Sequence, residues 1–240
     1  MESLRVDRET WDTSPVLRSQ YRCWHERLRR WLPKQGRGVL ELGSGVGGLN
    51  DSFESILLSD AAFVPWLDIV CRGEALPLKG RMLEAVVLID VLHHVSNPGA
   101  LFSEAERVLK IGGYICILDM FISPFSHLFL KPFHHEPVAP RRASLHEENM
   151  PEGNQALATA LFFTKRGVGD FHSSFPNIDI IHRERFSTFL YPLVGGFAYR
   201  SWISKKTFLK LLPFDDFLAR KIGRLLAWRC LVVLEIGEPR

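Results

Sequence analysis

The 240-residue sequence is short of paired cysteines: Cys23, Cys71, Cys116 and Cys230 lie far apart, and no C-x-x-C occurs. That argues against a zinc ribbon or a redox pair, and a disulfide framework is not expected in a chain of this length. H-E-x-x-H is also absent, and no metal site is expected. The first residues, MESLRVDRETWD, lack the basic head and apolar run of a signal peptide. The most apolar run, YICILDMFISPFSHLFL, is interrupted by Asp119, Pro124 and His127, so it reads as a buried strand plus an apolar loop and not as a membrane span. A cytoplasmic protein is the expectation. Charge of one sign is scarce: 30 Lys and Arg against 27 Asp and Glu leave +3, too little to argue for nucleic acid, and none is expected as a partner. Internal repeats, low-complexity tracts and linkers are missing too, so one domain is the simplest reading.

Strands and helices alternate in what remains. Residues 15–32 read as a helix with an apolar face at Leu17, Tyr21, Trp24, Leu28 and Trp31, ended by Pro33. VLEL, SILLSD, WLDIVC and EAVVLID read as four strands, with a short helix near 47–53 after the first. Asn97 and Pro98 open the next helix; Lys110 is expected in its last turn and Gly112 at its stop. YICILDM is a fifth strand. Residues 121–176 read as an irregular insertion with a helix near 154–164. IDIIHRERF and RCLVVLEIG are later strands, separated by a basic helical segment over about 203–228. Stacked βαβ units imply an α/β fold on a parallel sheet. The expected divisions are an N-terminal helical extension (1–36), a ligand-binding core (37–121), an insertion (122–176) and closing elements (177–240).

VLELGSGVGGLN carries Gly43, Gly45 and Gly48 as G-x-G-x-x-G, with Ser44 and Gly47 between them. Bare backbone at a helix N-terminus suits a pyrophosphate, and it equally suits the carboxylate of S-adenosylmethionine. Glu41 lies at the strand's carboxyl end, where ligands bind in open α/β sheets. A carboxylate there repels a pyrophosphate and attracts the ammonium and sulfonium of S-adenosylmethionine; the plainer alternative is a cap or an arginine partner. Asp60 ends the second strand, where a carboxylate can hold two ribose hydroxyls, or stand solvated in a loop.

VLELGSGVGG, GEALPL, EAVVLIDVLHHVSNP and RVLKIGG, in that order and spacing, resemble the motif series of class I S-adenosylmethionine-dependent methyltransferases, in the subgroup with L-P-F, D-V-L-H-H and R-V-L-K-P-G-G patterns. The resemblance covers residues 37–121. It implies a Rossmann-like, seven-stranded, mostly parallel sheet with helices on both faces and an antiparallel last strand, for which RCLVVLEIG is the candidate. It implies S-adenosylmethionine as cofactor, with Glu41 facing the methionine part, Gly43, Ser44, Gly45 and Gly47 around it, Asp60 on the ribose, and Asp90 and Val91 closing the site. Where the family often has an aspartate for the adenine amino group, this chain has Arg72. Arginine and that amino group both only donate, so Glu74 or a carbonyl near Gly73 is the expected acceptor.

Methyl transfer from a sulfonium is an in-line displacement helped by positioning, and a hydroxyl acceptor gains from a base near neutral pH. His94 follows Asp90 at the mouth of the site, and His134 and His135 lie in the insertion; these are the candidate bases, set against ordinary hydrogen bonding within loops. The late stretch YPLVGGFAYRS loosely resembles methyltransferases of cell-surface glycan biosynthesis, which implies O-methylation of a sugar, a lipid-linked glycan or another small acceptor. Phe121, Phe125, Leu128, Phe129, Leu130 and Phe133 are read as core, with peripheral contact to membrane or lipid-linked substrate as the alternative. The rival functions are a degenerate methyltransferase domain serving as a binding module, which Arg72 keeps open, and an NAD-dependent oxidoreductase.

Overall fold

The computed structural model describes residues 2–133, 138, 145, 154 and 156–239. Its centre is a seven-stranded sheet in the order β3-β2-β1-β4-β5-β7-β6. The strands are β1 (Val39–Leu42), β2 (Leu57–Asp60), β3 (Ile69–Val70), β4 (Leu83–Ile89), β5 (Leu109–Met120), β6 (Ile178–Phe186) and β7 (Arg229–Ile236). Pairs β1–β2, β1–β4, β2–β3 and β4–β5 are parallel, and β7 runs antiparallel to β5 and β6. The expected Rossmann-like architecture, with its last strand reversed, is the one observed.

Strand side chains alternate between faces. Leu40, Val86, Leu88, Ile115, Ile117 and Val232 share one core with α3 (Pro98–Val108), α5 (Leu157–Phe163) and α6 (Lys165–Ser174). Val39, Ala85, Val87, Cys116, Leu118 and Val233 share the other with Trp24 and Leu28 of α2 (Pro15–Leu28). Such continuous apolar strands fit a sheet covered on both faces. Asn97 caps α3 as expected, its side chain accepting from the Ala100 amide at 2.9 Å.

Several local expectations give way. The helix near 47–53 is a single 3-10 turn, Gly48–Asp51. Lys110 and Gly112 do not stop α3, because Leu109 already pairs with Leu83 of β4. The register then jumps to Ala85–Tyr114, so residues 110–113 form a bulge, and Gly112 takes its positive φ of 75° there. The apolar loop after β5 is helix α4 (Pro124–Phe133), and the insertion also holds α5 and α6. Within the N-terminal helical extension, polar α1 (Glu2–Thr13) adds a second helix ahead of the one expected over 15–32; Trp11 buries itself over the glycine turn, and Arg8 donates to the Val46 carbonyl at 2.6 Å. Two further helices, α7 (Leu190–Val194) and α8 (Lys205–Leu226), complete the described chain. Among the described residues no helix is long and apolar enough to cross a membrane.

Phe171 is fully buried, with edge contacts to Phe102 at 5.1 Å and Phe162 at 5.2 Å. Phe171→Ala is predicted to cost roughly 3–5 kcal/mol, cavity included. Urea unfolding checks this, and a loss below about 1 kcal/mol would remove the cluster from the core.

Candidate functional site

At the carboxyl ends of β1, β2 and β4 the chain leaves a cavity of about 600 Å³. The glycine turn forms its floor. A Cβ on Gly43, where φ is +64°, would lie 2.4 Å from Val91, so glycine lets the turn pass beneath β4's exit. At Gly45, φ is +50° and the space a Cβ would take is open, leaving bare backbone along the cavity wall. Ser44 latches the turn to β2: its amide donates to the Ser59 carbonyl at 2.8 Å, and its hydroxyl accepts from the Ser59 amide at 3.0 Å. Asp60 holds it from the other side, accepting from the Gly45 amide at 3.0 Å and from the Ala62 amide at 3.0 Å. Each carboxylate oxygen keeps a further lone-pair site.

Glu41 is the group that most needs a partner. It is buried, it lines the cavity, and its Oε2 has no hydrogen-bond partner. Burial pushes its carboxyl up to about 8; a bond from Ser44 opposes this and the Asp60 charge adds to it. An isolated buried carboxylate is costly, so in the bare cavity the neutral acid is favoured, while a cation beside it would favour the ionised form.

The far wall ends in charge. Asp90 stands at φ 57° just after β4 and is ion-paired to Arg229, which is wholly buried at the start of β7. Trp24 and Tyr191 bring their rings to 4.4 and 5.5 Å from the guanidinium. Asp119 joins this group through His93, whose Nδ1 is 2.6 Å from Oδ1 and whose amide donates to Oδ2 at 3.3 Å. Burial would raise the Asp119 carboxyl, but His93 and Arg229 hold it below its ordinary value. Asp90, His93 and Asp119 approach as closely as metal ligands do, yet the cation among them is Arg229.

Of the residues singled out in sequence and described here, Glu41, Gly43, Ser44, Gly45, Asp60, Gly73, Glu74, Asp90, Val91 and His94 all line the cavity. Gly47 does not. It turns left-handed ahead of the 3-10 turn, with Leu58 and Trp66 against the position of its missing Cβ. His94 is exposed, with its ring 4.0 Å from that of His93. His134 and His135 lie outside the described residues. Arg72 borders the cavity, but its side chain is 63% exposed and reaches Glu74 at 3.6 Å.

Sequence reasoning missed the roof. Leu4 and Asp7 of α1, Tyr21 and His25 of α2, and Phe197 also line the cavity. His25 is buried, its Nδ1 lies 2.8 Å from the Ser52 hydroxyl, and its Nε2 has no partner. Burial pulls its imidazole down to about 3, with Arg22 and Arg29 adding to this, so the ring is neutral. Tyr21 packs edge-on against Trp11 and Phe197, and burial drives its phenol well above the usual range. The available signal was Tyr21 and His25 one helical turn apart, which reads from sequence as an ordinary core face.

Comparison with known proteins bears on this geometry. Residues 40–117 match the family model described as a methyltransferase domain. An uncharacterized protein of Methanocaldococcus jannaschii is 35% identical over 107 residues, 40% of this chain and 50% of that protein. A Xylella fastidiosa protein named ubiquinone/menaquinone biosynthesis C-methyltransferase is 34% identical over 107 residues, 42% of each chain. The matches thus span half or less of these relatives' lengths. In fold, the chain is similar to phosphoethanolamine N-methyltransferase 2 of Haemonchus contortus, solved with S-adenosyl-L-methionine, at TM-score 0.51 and 16% identity over 90% of this chain and 52% of that one.

The Glu41 shift has a consequence for the bare protein. Its folded value near 8 exceeds the ordinary 4.5, so the native state holds the extra proton between these values. Stability conferred by the neutral acid is present below about 4.5 and is lost as pH rises toward 8. Relative to wild type, Glu41→Gln is predicted to gain stability across that window, with a slope approaching ~1.4 kcal/mol per pH unit. Urea unfolding at several pH values tests this; parallel curves would mean Glu41 is ionised in the native state.

Proposed function

We propose that this chain, whose residues 40–117 match a methyltransferase-domain model, is a class I methyltransferase that transfers a methyl group from S-adenosylmethionine to a small acceptor. The observation that carries the proposal is the buried Glu41 carboxyl, whose Oε2 has no hydrogen-bond partner, beside the bare backbone at Gly45, a pairing that suits a cationic ligand and disfavours a pyrophosphate. When bound, the cofactor supplies an electrophilic methyl group on its sulfonium. In this reading Glu41 accepts from the ammonium, Gly43 and Gly45 give the ligand room to approach, and the remaining lone pairs of Asp60 take the ribose hydroxyls. Gly73 and Glu74 border the adenine. Arg72, turned outward, leaves that end of the cavity to Glu74 and to backbone. Asp90 and Val91 close the site, with Asp90 held in place by Arg229. The chain is read as one domain in the cytoplasm, with the helices of 1–36 serving as the roof.

The acceptor is read as a hydroxyl of a sugar or a lipid-linked glycan, with His94 at the mouth taking the proton as the new bond forms. A second reading is methylation at carbon, supported by the name of the Xylella relative. The rings of Tyr21 and Phe197, which line the roof, suit an acceptor with an apolar part in either case.

Two experiments test the proposal. Asp60→Ala is predicted to weaken S-adenosylmethionine binding by roughly tenfold to a hundredfold, the worth of hydrogen bonds to a charged group. Unchanged affinity by calorimetry would remove Asp60 from the site. A transfer screen with methyl-labelled cofactor should label a hydroxyl-bearing glycan or a carbon acceptor. If the protein binds no S-adenosylmethionine at millimolar ligand, the fold serves as a binding module instead.

A further inference from the structure

We infer that α8 and the adjoining α4 form a docking face for an anionic lipid bilayer. The 22 residues of α8 turn Phe208, Asp215, Ala219 and Gly223 inward. Their opposite side carries large apolar groups that a soluble helix would ordinarily bury: Leu209 is 46% exposed, Phe214 54%, Phe217 47% and Leu225 55%. Between them stand the exposed cations Lys206, Lys210, Arg220, Lys221 and Arg224. Over 206–221, ahead of the non-helical break at Ile222, 100° per residue puts these positions in an arc of roughly 140° facing away from the core; Arg224 and Leu225 follow the break.

The acids of the helix are turned away from that arc. Asp215 is buried and accepts from the amides of Thr188, at 3.0 Å, and Leu190, at 3.1 Å. Asp216 pairs with Arg27 of α2. The exposed arc is therefore cationic and apolar together, although the whole chain carries only +3. The apolar surface extends past both ends of the helix. Trp202, just ahead of it, is 84% exposed. Beyond its end, Trp228 lies 6.2 Å from Phe129 of α4, where Phe129 is 42% and Leu128 70% exposed.

Topology sets this face beside the cavity. Met120 at the end of β5 pairs with Arg229 at the start of β7. So α4 departs, and α8 arrives, at the carboxyl end of the parallel strands, the end that holds the cavity. A polyanion such as nucleic acid would use the lysines and arginines, yet it gives no reason for the exposed phenylalanines and tryptophan. A bilayer with anionic headgroups takes both, the cations at the phosphates and the rings at the acyl boundary. The face stands on these surface observations alone and does not rest on the methyl-transfer reading.

The test is flotation of the full chain with vesicles of phosphatidylcholine, with and without phosphatidylglycerol. Binding is expected to phosphatidylglycerol vesicles and to weaken as salt rises. Phe214→Ser with Phe217→Ser, and separately Lys206→Glu with Lys210→Glu and Lys221→Glu, should each lower the bound fraction at least tenfold. Unaltered circular dichroism and melting temperature show that these variants remain folded. The inference is overturned if wild type stays with the protein fraction at low salt, if folded charge-reversed variants float as well as wild type, or if the phenylalanine variants only dissolve a dimer of this chain.

Discussion

A guanidinium with no access to water must be answered by charge and by π surface, and Arg229 is such a group. It pairs with Asp90, donates toward the Met120 sulfur at 3.2 Å, and lies against Trp24 and Tyr191. Through it the end of β4, the end of β5, the start of β7, α2 and α7 meet at one point. The strained backbone of Asp90, at positive φ, is tolerable because its side chain is fixed there. The cavity's far wall, and the descent of α2 that supplies its roof, follow from how this cation is accommodated. Removing either partner would leave the other mismatched, at a cost that can reach about 3–5 kcal/mol for a buried pair.

Around that anchor the cavity is arranged by contrast. Asp60 and Ser44 spend hydrogen bonds on the glycine turn, Asp90 is paired with Arg229, and Asp119 is hydrogen-bonded to His93. Glu41 alone among the acids lining the cavity is buried with an oxygen lacking a hydrogen bond. A site that leaves a buried carboxyl oxygen without a partner is organised for a ligand carrying positive charge. Neutral His25, with its own partnerless Nε2 in the roof, extends the same pattern to a second polar group.

Legibility followed how local the cause was. IDIIHRERF reads as a strand with the bounds observed for β6, and Asn97 as a cap, because alternation and capping are written in neighbouring residues. Glu41 and Asp60 were readable because strand ends announce themselves. Gly112 misled: its chemistry fits a helix stop, but pairing of Leu109 with Leu83 claims that residue for the sheet. Polar α1 has too little apolar pattern to show in sequence, and it depends on Trp11 and Arg8 reaching the glycine turn. Tyr21, His25, Phe197 and Arg229 enter the site from elements far from it in sequence, so no local period could mark them.

The central claim is that Glu41 awaits a cationic ligand, and calorimetry at pH 7 in two buffers of different ionisation enthalpy tests it most directly. S-adenosylmethionine should bind with net release of a proton, because its ammonium ionises a carboxyl held near 8, and Glu41→Gln should abolish the release and weaken binding. Binding of NAD tighter than S-adenosylmethionine, or S-adenosylmethionine binding with no proton released and no loss in Glu41→Gln, would contradict the account.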